Sequence, residues 1–365
     1  MTNEIADAVA AAMMARMDDT ELRKVEIMTK VESMISDTNN DEDVLREIKA
    51  IVRGAVRATK TGHALIIVGE SHIGKSTLIN SVLDAQKPLE PIPDGHGDFY
   101  YPLLRVKAPP DCTMKALGED MLGKLGYDPD RKMDEPSVFR MLRSRLRQNG
   151  VKVVFIDEFQ HVLDAPKVKG VRHLTDTLKN LLQEEGWPIH LILCGLPEIV
   201  QIVDRDPKEQ MEGRTVVLRL DELNVEEHAD LVALQFQAIL EEAGLKSSID
   251  FGTDDALTSD FLDRLFHGAR NRLGLMFRML HFAIEEAIDH DEDTVTMEHW
   301  ERAYAKLAKR GRNVFVDHEF WTIKRGVMRD GTLGLEETAR NHPAPERRRE
   351  MKEPAERDVE GTDAR

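Results

Sequence analysis

Residues 69–76, GESHIGKS, have the composition and spacing of a loop that binds phosphate groups. Phosphate oxygens need several backbone N–H donors that converge within one turn, and Gly69 and Gly74 allow the backbone this close approach. Lys75 is expected to reach the β- and γ-phosphates of a nucleotide, and the hydroxyl of Ser76 is expected to hold Mg²⁺. A helix beginning near Lys75 would add its positive amino end. The motif therefore predicts a nucleotide site.

The second motif is acidic. It lies at the end of the apolar run VKVVFID, where Asp157 is followed directly by Glu158. A carboxylate at the end of a buried strand is placed to hold Mg²⁺ through water, which is the role we expect for Asp157. Glu158 would orient and activate an attacking water. Two adjacent acids favour hydrolysis over transfer to an acceptor.

A third apolar run, IHLILC, ends at Cys194, Gly195 and Leu196. In a nucleotide-hydrolysing site this strand end would lie next to the γ-phosphate, where a polar side chain could sense it. None of these three side chains is a strong hydrogen-bond donor, so the position departs from what such a site requires.

Arginines supply the remaining candidate charges. Arg214 precedes the last apolar run, where in a ring it would face the nucleotide of a neighbouring copy and neutralise charge in trans. Arg205 is the alternative for that role, and pairing of Arg214 with Glu212 or Glu209 at the surface is the simpler interpretation.

Two more arginines, Arg270 and Arg272, stand at the predicted start of a helix in the segment HGARNRLGL. A positive side chain is unfavourable at the amino end of a helix, so an anionic partner such as a γ-phosphate is expected there.

Two basic segments are candidates for contact with nucleic acid. Arg140, Arg143 and Arg147 fall on one face of a predicted helix, and any contact they make should be to phosphates and sensitive to salt. Solvated helix faces explain such patterns equally well. The second segment, APKVKGVRH, contributes Lys167, Lys169 and Arg172.

Five apolar runs alternate with helical segments across residues 62–220, and they must position these motifs. The runs are ALIIVG, YPLLRV, VKVVFID, IHLILCG and TVVLRL. The alternation predicts an α/β domain with a parallel five-stranded sheet covered by helices on both faces. Because the carboxyl ends of parallel strands share one edge, the motifs that follow three of these runs should meet there.

The rest of the chain is predicted to be helical or unfolded. We expect a helical N-terminal extension at residues 1–44, a nucleotide-binding core at 45–222 and a helical lid at 223–310. Residues 311–365 are charged and contain few apolar residues to bury, which is typical of disorder.

Composition narrows the functional class. The net charge of −17 argues against a protein that coats polyanions in general, although a local basic strip can outweigh the average. The two cysteines lie far apart, which fits a reducing cytosol and no disulfide framework. Apolar runs too short to cross a bilayer, and an acidic start, lead us to expect a cytoplasmic protein without a membrane partner.

The order of these motifs resembles that of AAA+ ATPases, which are P-loop NTPases. Within them the chain is most similar to the TniB/TnsC family, the ATP-dependent regulators of transposition in Tn7-like and Tn5053-like elements. The similar stretches are VGESHIGKSTLI, PLLRVKAPPDCTMKALGEDMLGKLG and residues 151–200. The last stretch contains the DE-x-x-H arrangement of Asp157, Glu158 and His161. The resemblance covers roughly residues 45–290.

The resemblance implies ATP and Mg²⁺ as ligands, with Ser76 and Asp157 at the metal and with Glu158 and Arg214 as catalytic residues. The family usually has threonine where this chain has Leu196, so hydrolysis is expected to be slow. The residues expected to contact the nucleotide are Gly69, Glu70, Ser71, His72, Ile73, Gly74, Lys75, Ser76, Thr77, Asp157, Arg270 and Arg272.

Family behaviour further implies a ring or helical filament on double-stranded DNA. The expected partners are a transposase and a target-selection protein of the TniQ/TnsD type. The DNA contacts of the family include the segment between the second and third strands, and the corresponding residues here are Lys124, Arg140, Arg143 and Arg147. Two alternatives stay open: a nucleotide-switched AAA+ scaffold for secretion or signalling that does not bind DNA, and a module that binds nucleotide without hydrolysing it.

Overall fold

The computed structural model describes eight stretches of the chain. They are residues 2–34, 41–57, 60–130, 132–163, 171–204, 211–252, 256–308 and 312–323. Lys167, Lys169 and Arg205 lie outside the described residues, as do residues 324–365. Within the described stretches, no helix is both long enough and apolar enough to cross a membrane.

Five strands form the central sheet, and all of them run parallel in the order β4-β5-β6-β1-β7. The predicted five-stranded parallel sheet is therefore confirmed. Short pairs β2–β3 and β8–β9 lie outside this sheet. The strands are β1 (Ala64–Val68), β2 (Ile92–Pro93), β3 (Phe99–Tyr100), β4 (Leu103–Lys107), β5 (Val153–Asp157), β6 (His190–Gly195), β7 (Thr215–Arg219), β8 (Lys246–Ser247) and β9 (Thr294–Val295).

Helices cover the sheet and build the two ends of the chain. The α-helices are α1 (Thr2–Met14), α2 (Asp19–Ser33), α3 (Asp41–Val56), α4 (Lys75–Asp84), α5 (Met114–Lys124), α6 (Glu135–Gln148), α7 (Gln160–Leu163), α8 (Val171–Leu182), α9 (Gln201–Asp204), α10 (Val225–Glu242), α11 (Ala256–Gly268), α12 (Leu273–Asp289) and α13 (Met297–Leu307). Short 3-10 segments occur at Lys87–Leu89, Pro197–Val200, Glu212–Arg214 and Phe320–Thr322.

Side chains of the middle strands alternate between two apolar clusters, one on each face of the sheet. Ile66 and Ile156 belong to the cluster that contains α5, α6 and α8, whereas Ile67 and Phe155 belong to the cluster that contains α3 and α4. Every residue of β1, β5 and β6 is buried because helices cover both faces. The sheet edge that carries the motifs is thus held by packing from two sides.

Helix α3 belongs to the sheet domain, and His190 fixes it there. Val44 and Ile48 are fully buried on the face of α3 that packs on the sheet, so the core begins before the boundary expected at residue 45. The imidazole of His190 accepts a hydrogen bond from the backbone N–H of His63 at 3.2 Å and also bonds to the backbone of Gly54. A side chain at Gly54 would collide with this ring at 2.8 Å.

The helical lid, α10–α13, has its own apolar core. Trp300 is fully buried, stacks on Phe236 at 5.7 Å and meets Phe261 edge-on at 4.9 Å. The sequence analysis missed the short parallel pair β8–β9, because strands of two residues carry no periodic signal.

Helix α2 packs on the lid, not on the sheet domain. Val31 is fully buried in the apolar cluster of the lid, and Ile27 and Met28 pack against that cluster. Lys24 lies 3.4 Å from Asp289 on α12. Within the segment predicted as a separate extension, residues 1–44, α2 therefore packs on the lid, and residues 41–44 form the first turn of α3 in the sheet domain.

The predicted disordered tail needs a correction at its start. Val314 and Phe315 are buried in the cluster of the lid. Arg264 donates hydrogen bonds to the backbone carbonyls of Val314 and Asp317, both at 2.7 Å. Residues 312–323 thus complete the lid, because two apolar side chains within a charged stretch are enough to anchor it.

The histidine that fixes α3 makes the stability of the fold dependent on pH. Burial, together with the nearby His63 and Lys152, lowers the pKa of His190 to about 4. The unfolded chain takes up its proton near pH 6.5, so stability conferred by the neutral ring is lost as the pH falls from about 6.5 towards 4. We expect this group to cost about 2–3 kcal/mol of unfolding free energy over that interval.

His190→Asn keeps an acceptor for the His63 N–H but cannot be protonated, so its stability should decline less steeply than that of the wild type. Urea unfolding at a series of pH values measures the difference. His96→Asn, at an exposed histidine, serves as the control and should follow the wild type. Equal slopes for the wild type and His190→Asn would contradict the assignment.

Candidate nucleotide-binding site

Three strand ends converge at the carboxyl edge of the sheet. Val68, the last residue of β1, pairs with Gly195 at the end of β6. On the other side of β6, Ile156 pairs with Leu193, which places Asp157 one residue further along at the same edge. The phosphate loop, the acidic pair and the end of β6 are therefore neighbours, as the parallel sheet requires.

The loop after β1 has the shape that close approach to phosphate requires. A side chain at Gly69 would lie 2.7 Å from the carbonyl oxygen of Leu220, so only glycine fits there. Gly74 caps α4 with φ of 100°, a conformation that glycine adopts without strain. His72 has φ of 62° in the same loop. Ile73 is buried and anchors the loop in the core, whereas Thr77 is exposed.

Lys75 folds back over this loop. Its ammonium donates hydrogen bonds to the carbonyl oxygens of Gly69 at 2.8 Å and Glu70 at 2.7 Å. Burial lowers the pKa of Lys75, while the carboxylates of Glu158, Asp157 and Glu70 favour its charged form. The ammonium is thus held in a partly desolvated position, where its attraction for an anion is stronger than in water.

The acidic pair occupies two different environments. Asp157 is 9% exposed, and its Oδ1 accepts the N–H of Glu158 at 2.9 Å. The fully buried thiol of Cys194 hydrogen-bonds to Asp157, and burial raises the pKa of that thiol well above its ordinary value. Cys194 therefore stays protonated and contacts the carboxylate proposed to serve the metal. Glu158 has φ of 53°, a strained value for a residue with a side chain.

Gln160 is a site residue that the sequence analysis missed. Its Nε2 donates to the carboxylate of Glu158 at 2.5 Å, and its Oε1 accepts the backbone N–H of Leu196 at 3.2 Å. Gln160 is only 6% exposed. In the sequence, the only indication was that Gln160 follows closely after the acidic pair. Its contact with Leu196, 36 positions away, cannot be predicted from local spacing.

The lid reaches the phosphate loop through Arg272. Its guanidinium lies 3.6 Å from the carboxylate of Glu70, donates to Glu222 at 3.1 Å and reaches the carbonyl oxygen of Ser71 at 3.5 Å. The backbone N–H of Gly274 donates to the carbonyl of His72 at 3.0 Å. The amino end of α12 therefore lies directly on the loop, where Arg272 has the carboxylates of Glu70 and Glu222 as anionic partners, and its contact with a nucleotide stays a prediction.

The structure places Arg270 elsewhere. This residue has φ of 56° and is 1% exposed. It lies near Tyr304 in the lid: burial raises the pKa of the Tyr304 phenol, and the positive charge of Arg270 opposes that rise. With 1% exposure the side chain offers no surface to a nucleotide in this conformation. Arg270 and Arg272, two positions apart, thus have different surroundings.

Arg214 lies at the amino ends of the parallel strands, opposite the carboxyl ends that carry the phosphate loop. The next residue, Thr215, pairs with Ala64, the first residue of β1. The loop begins about five residues further along β1, a separation of about 16 Å along the strand. Arg214 therefore cannot act on the phosphate site of its own chain.

A cavity of about 480 Å³ opens beside Arg214, lined in part by Arg53, Arg57 and Glu212. The Nη1 atom of Arg214 is buried and has no hydrogen-bond partner within the described part of the chain. No ion pair joins Arg214 to Glu212 among the described residues, and Glu209 lies outside them.

The candidate DNA-binding residues differ in how available their charges are. Arg140 and Arg147 on α6 are exposed, as is Lys124 at the end of α5. Arg143 is held by Glu184, with its Nε at 2.7 Å from the carboxylate, so part of its charge is neutralised. Arg172 is exposed near the start of α8.

Helices α5 and α6 run in the same direction. Gly118 faces Val138 and Phe139 near one end, and the ring of Tyr127 lies under the guanidinium of Arg145 near the other. The end of α5, with Lys124, therefore lies at the level of the last turns of α6.

The family model of the bacterial TniB protein matches residues 29–224, more than half of the chain. The chain belongs to the TniB family. The match extends from within α2 to the linker before α10, so it includes the sheet, the phosphate loop, the acidic pair and Arg214. This confirms the resemblance seen in the motifs. No curated protein matches the chain.

Solved structures of AAA+ proteins share the fold of this TniB-family chain. The ORC2 protein of Aeropyrum pernix, solved as ADPNP–ADP complexes, has 15% sequence identity and a TM-score of 0.53, covering 76% of this chain and 71% of that one. Cdc6p of Pyrobaculum aerophilum has 13% identity and a TM-score of 0.53, covering 74% and 68%. At such identities the similarity establishes the fold, which is that of an AAA+ P-loop NTPase.

Lys75→Ala should weaken ATP binding by about 100-fold or more, because it removes the only ammonium that contacts the described loop carbonyls. Titration calorimetry with ATP and Mg²⁺ measures the affinity. Lys49→Ala, at an exposed lysine on α3, is the control and should bind as the wild type does. Unchanged affinity in Lys75→Ala would refute the assignment of the loop.

Proposed function

We propose that this protein hydrolyses ATP and uses ATP binding to assemble on duplex DNA, where it recruits a transposase to target sites. One observation carries the proposal. Lys75, Asp157 and Glu158 meet at one edge of the sheet, whereas Arg214 lies at the other, so a complete site requires two copies of the chain. Membership of the TniB family supports the link to transposition.

The residues at the carboxyl edge fit a nucleoside triphosphate with its metal. Gly69 leaves room for backbone approach, and the ammonium of Lys75 is already directed at the loop, so it can exchange the carbonyls of Gly69 and Glu70 for phosphate oxygens. The hydroxyl of Ser76 and the carboxylate of Asp157 are oxygen ligands of the kind that Mg²⁺ prefers. When bound, Mg²⁺ would neutralise charge on the β- and γ-phosphates.

Glu158 is the group proposed to activate water. Its carboxylate takes a proton from a water whose oxygen forms a bond to the γ-phosphorus. The bond from that phosphorus to the β–γ bridging oxygen breaks, and ADP leaves with the electron pair. Lys75 stabilises negative charge on the phosphates throughout. The side chain of Leu196 offers no donor to the γ-phosphate, so the reaction is expected to be slow.

Arg214 makes the proposed assembly head-to-tail. The arginine of one copy faces the phosphates of the next, so each interface joins two different surfaces. Such interfaces close into rings or continue as helical filaments. ATP then acts as an assembly signal, because its phosphates are the charge that the arginine of the neighbour recognises.

DNA binding in the proposal relies on Lys124, Arg140 and Arg147. Their exposure leaves them available to phosphates, and no aromatic side chain was found interleaved with them in the sequence, so contact with the backbone without base stacking is expected. A target-selection protein of the TniQ/TnsD type would be the second protein partner, a proposal that rests on family membership.

Glu158→Gln should bind ATP and assemble without hydrolysing it, and Arg214→Ala should bind ATP as a monomer but lose hydrolysis in assemblies. Mixing the two inactive variants on duplex DNA should restore up to about a quarter of the wild-type rate, because one in four interfaces of a randomly mixed head-to-tail assembly pairs an intact Glu158 with an intact Arg214. Phosphate release with ATP and duplex DNA measures this recovery.

Each variant alone is the control for the mixture, and electron microscopy with ATP and DNA shows whether each assembles. A mixture as inactive as its components, in assemblies that contain both, would remove the trans role of Arg214. If the wild type and Glu158→Gln release phosphate at the same rate, the protein is better described as a module that binds nucleotide without hydrolysing it.

The double variant Arg140→Glu/Arg147→Glu should bind duplex DNA at least about tenfold more weakly, and the slope of log K against log salt should fall by about 2. Fluorescence anisotropy at several salt concentrations measures both quantities. Lys246→Glu, a charge reversal on an exposed lysine of the lid, is the matched control. If duplex DNA neither binds the wild type nor stimulates its hydrolysis, the scaffold without DNA binding is the better interpretation.

A further inference from the structure

A glutamine amide connects the acidic pair to the end of β6. The Nε2 group of Gln160 holds the carboxylate of Glu158 at 2.5 Å, and its Oε1 atom accepts the N–H of Leu196 at 3.2 Å. One planar amide therefore joins the carboxylate proposed to activate water to the strand end beside the γ-phosphate position. Both of its polar ends are engaged, as a buried amide requires.

The surroundings of this amide leave it little freedom. A side chain at Gly195 would lie 2.4 Å from the Oε1 atom of Gln160, so glycine is needed for the bridge to form. The backbone N–H of Phe159 donates to the carbonyl of Cys194 at 2.9 Å, which fixes the turn after β5 against β6. Gln160 is thus held from both sides.

The bridge bears on the unusual residue at the sensor position. The side chain of Leu196 cannot donate a hydrogen bond, but its backbone N–H does so to Gln160. A displacement of the end of β6 therefore moves the acceptor oxygen of the amide, and with it the donor that holds Glu158. The carboxylate of Glu158 raises the pKa of both Lys75 and Cys194, so it lies near these two groups at the carboxyl edge of the sheet.

We propose that Gln160 is the positioning residue for Glu158, holding its carboxylate towards the phosphate site and coupling it to the backbone of Leu196 at the end of β6. In this chain the coupling passes through a backbone N–H and a glutamine amide in place of a polar side chain at position 196. The inference rests on the proposed hydrolysis, and it predicts an effect on the chemical step but not on ATP binding.

Gln160→Ala should lower kcat about tenfold, because Glu158 loses the donor that orients it, while the Kd for ATP stays within about twofold of the wild-type value. Gln160→Glu, which keeps the size but replaces the donor with a second carboxylate, should lower kcat at least as much. Steady-state phosphate release and calorimetry give the two constants, and thermal unfolding verifies that each variant folds.

Gly195→Ala provides a test that leaves Gln160 unchanged. Its methyl group would displace the amide oxygen, so this variant should also lose about tenfold in kcat. The Gln160→Ala background removes the 2.4 Å clash and leaves the milder contacts of 3.3 Å with the backbone nitrogen of residue 160 and with Ile199, so the double variant should be little slower than Gln160→Ala alone. Two residues that only support the fold would instead show additive losses.

The outcomes separate this inference from the proposed function. Suppose that the wild type releases phosphate, that Glu158→Gln abolishes this release and that Gln160→Ala has an unchanged kcat. This result overturns the positioning role of Gln160 and leaves the proposed function unaffected. Additive losses in kcat, or equal losses in kcat and ATP affinity, also overturn it. If the wild type shows no release dependent on Glu158, both proposals fall. Should Gly195→Ala not fold, the two Gln160 variants still decide.

Discussion

Burial of the parallel sheet on both faces is the constraint from which the site follows. The middle strands β1, β5 and β6 have no solvent face, so their residues are apolar apart from His190 at the start of β6 and the residues at the strand ends, such as Asp157. Groups that can bind a ligand are therefore confined to the two ends of these strands. Because they run parallel, their ends share one edge, and a loop for phosphate, a pair of acids and a sensor strand are brought within contact distance.

Local sequence was enough to predict this arrangement. The strands were visible as short apolar runs, and the phosphate loop as glycines at a fixed spacing, because both depend on neighbouring residues along the chain. The helices of the lid were visible for the same reason.

Contacts between distant segments could not be predicted in this way. The bridge from Gln160 to Leu196 and the packing of α2 on the lid depend on where the chain returns to itself. The buried position of Arg270 is similar: its sequence neighbours resemble those of Arg272, and only the turn that separates them, with φ near 60° at two residues, directs one side chain into the lid and the other towards the loop. The start of the tail was assigned wrongly because its composition is charged, although two apolar residues anchor it.

The packing of α2 has a consequence for movement. Sheet domain and lid are joined by the chain twice, once between α2 and α3 and once between β7 and α10. A body attached at one point can swivel in any direction, whereas a body attached at two points turns most easily about the line through them. A rotation of the lid relative to the sheet domain would therefore be easiest about the axis through these two connections, and α2 would move with the lid.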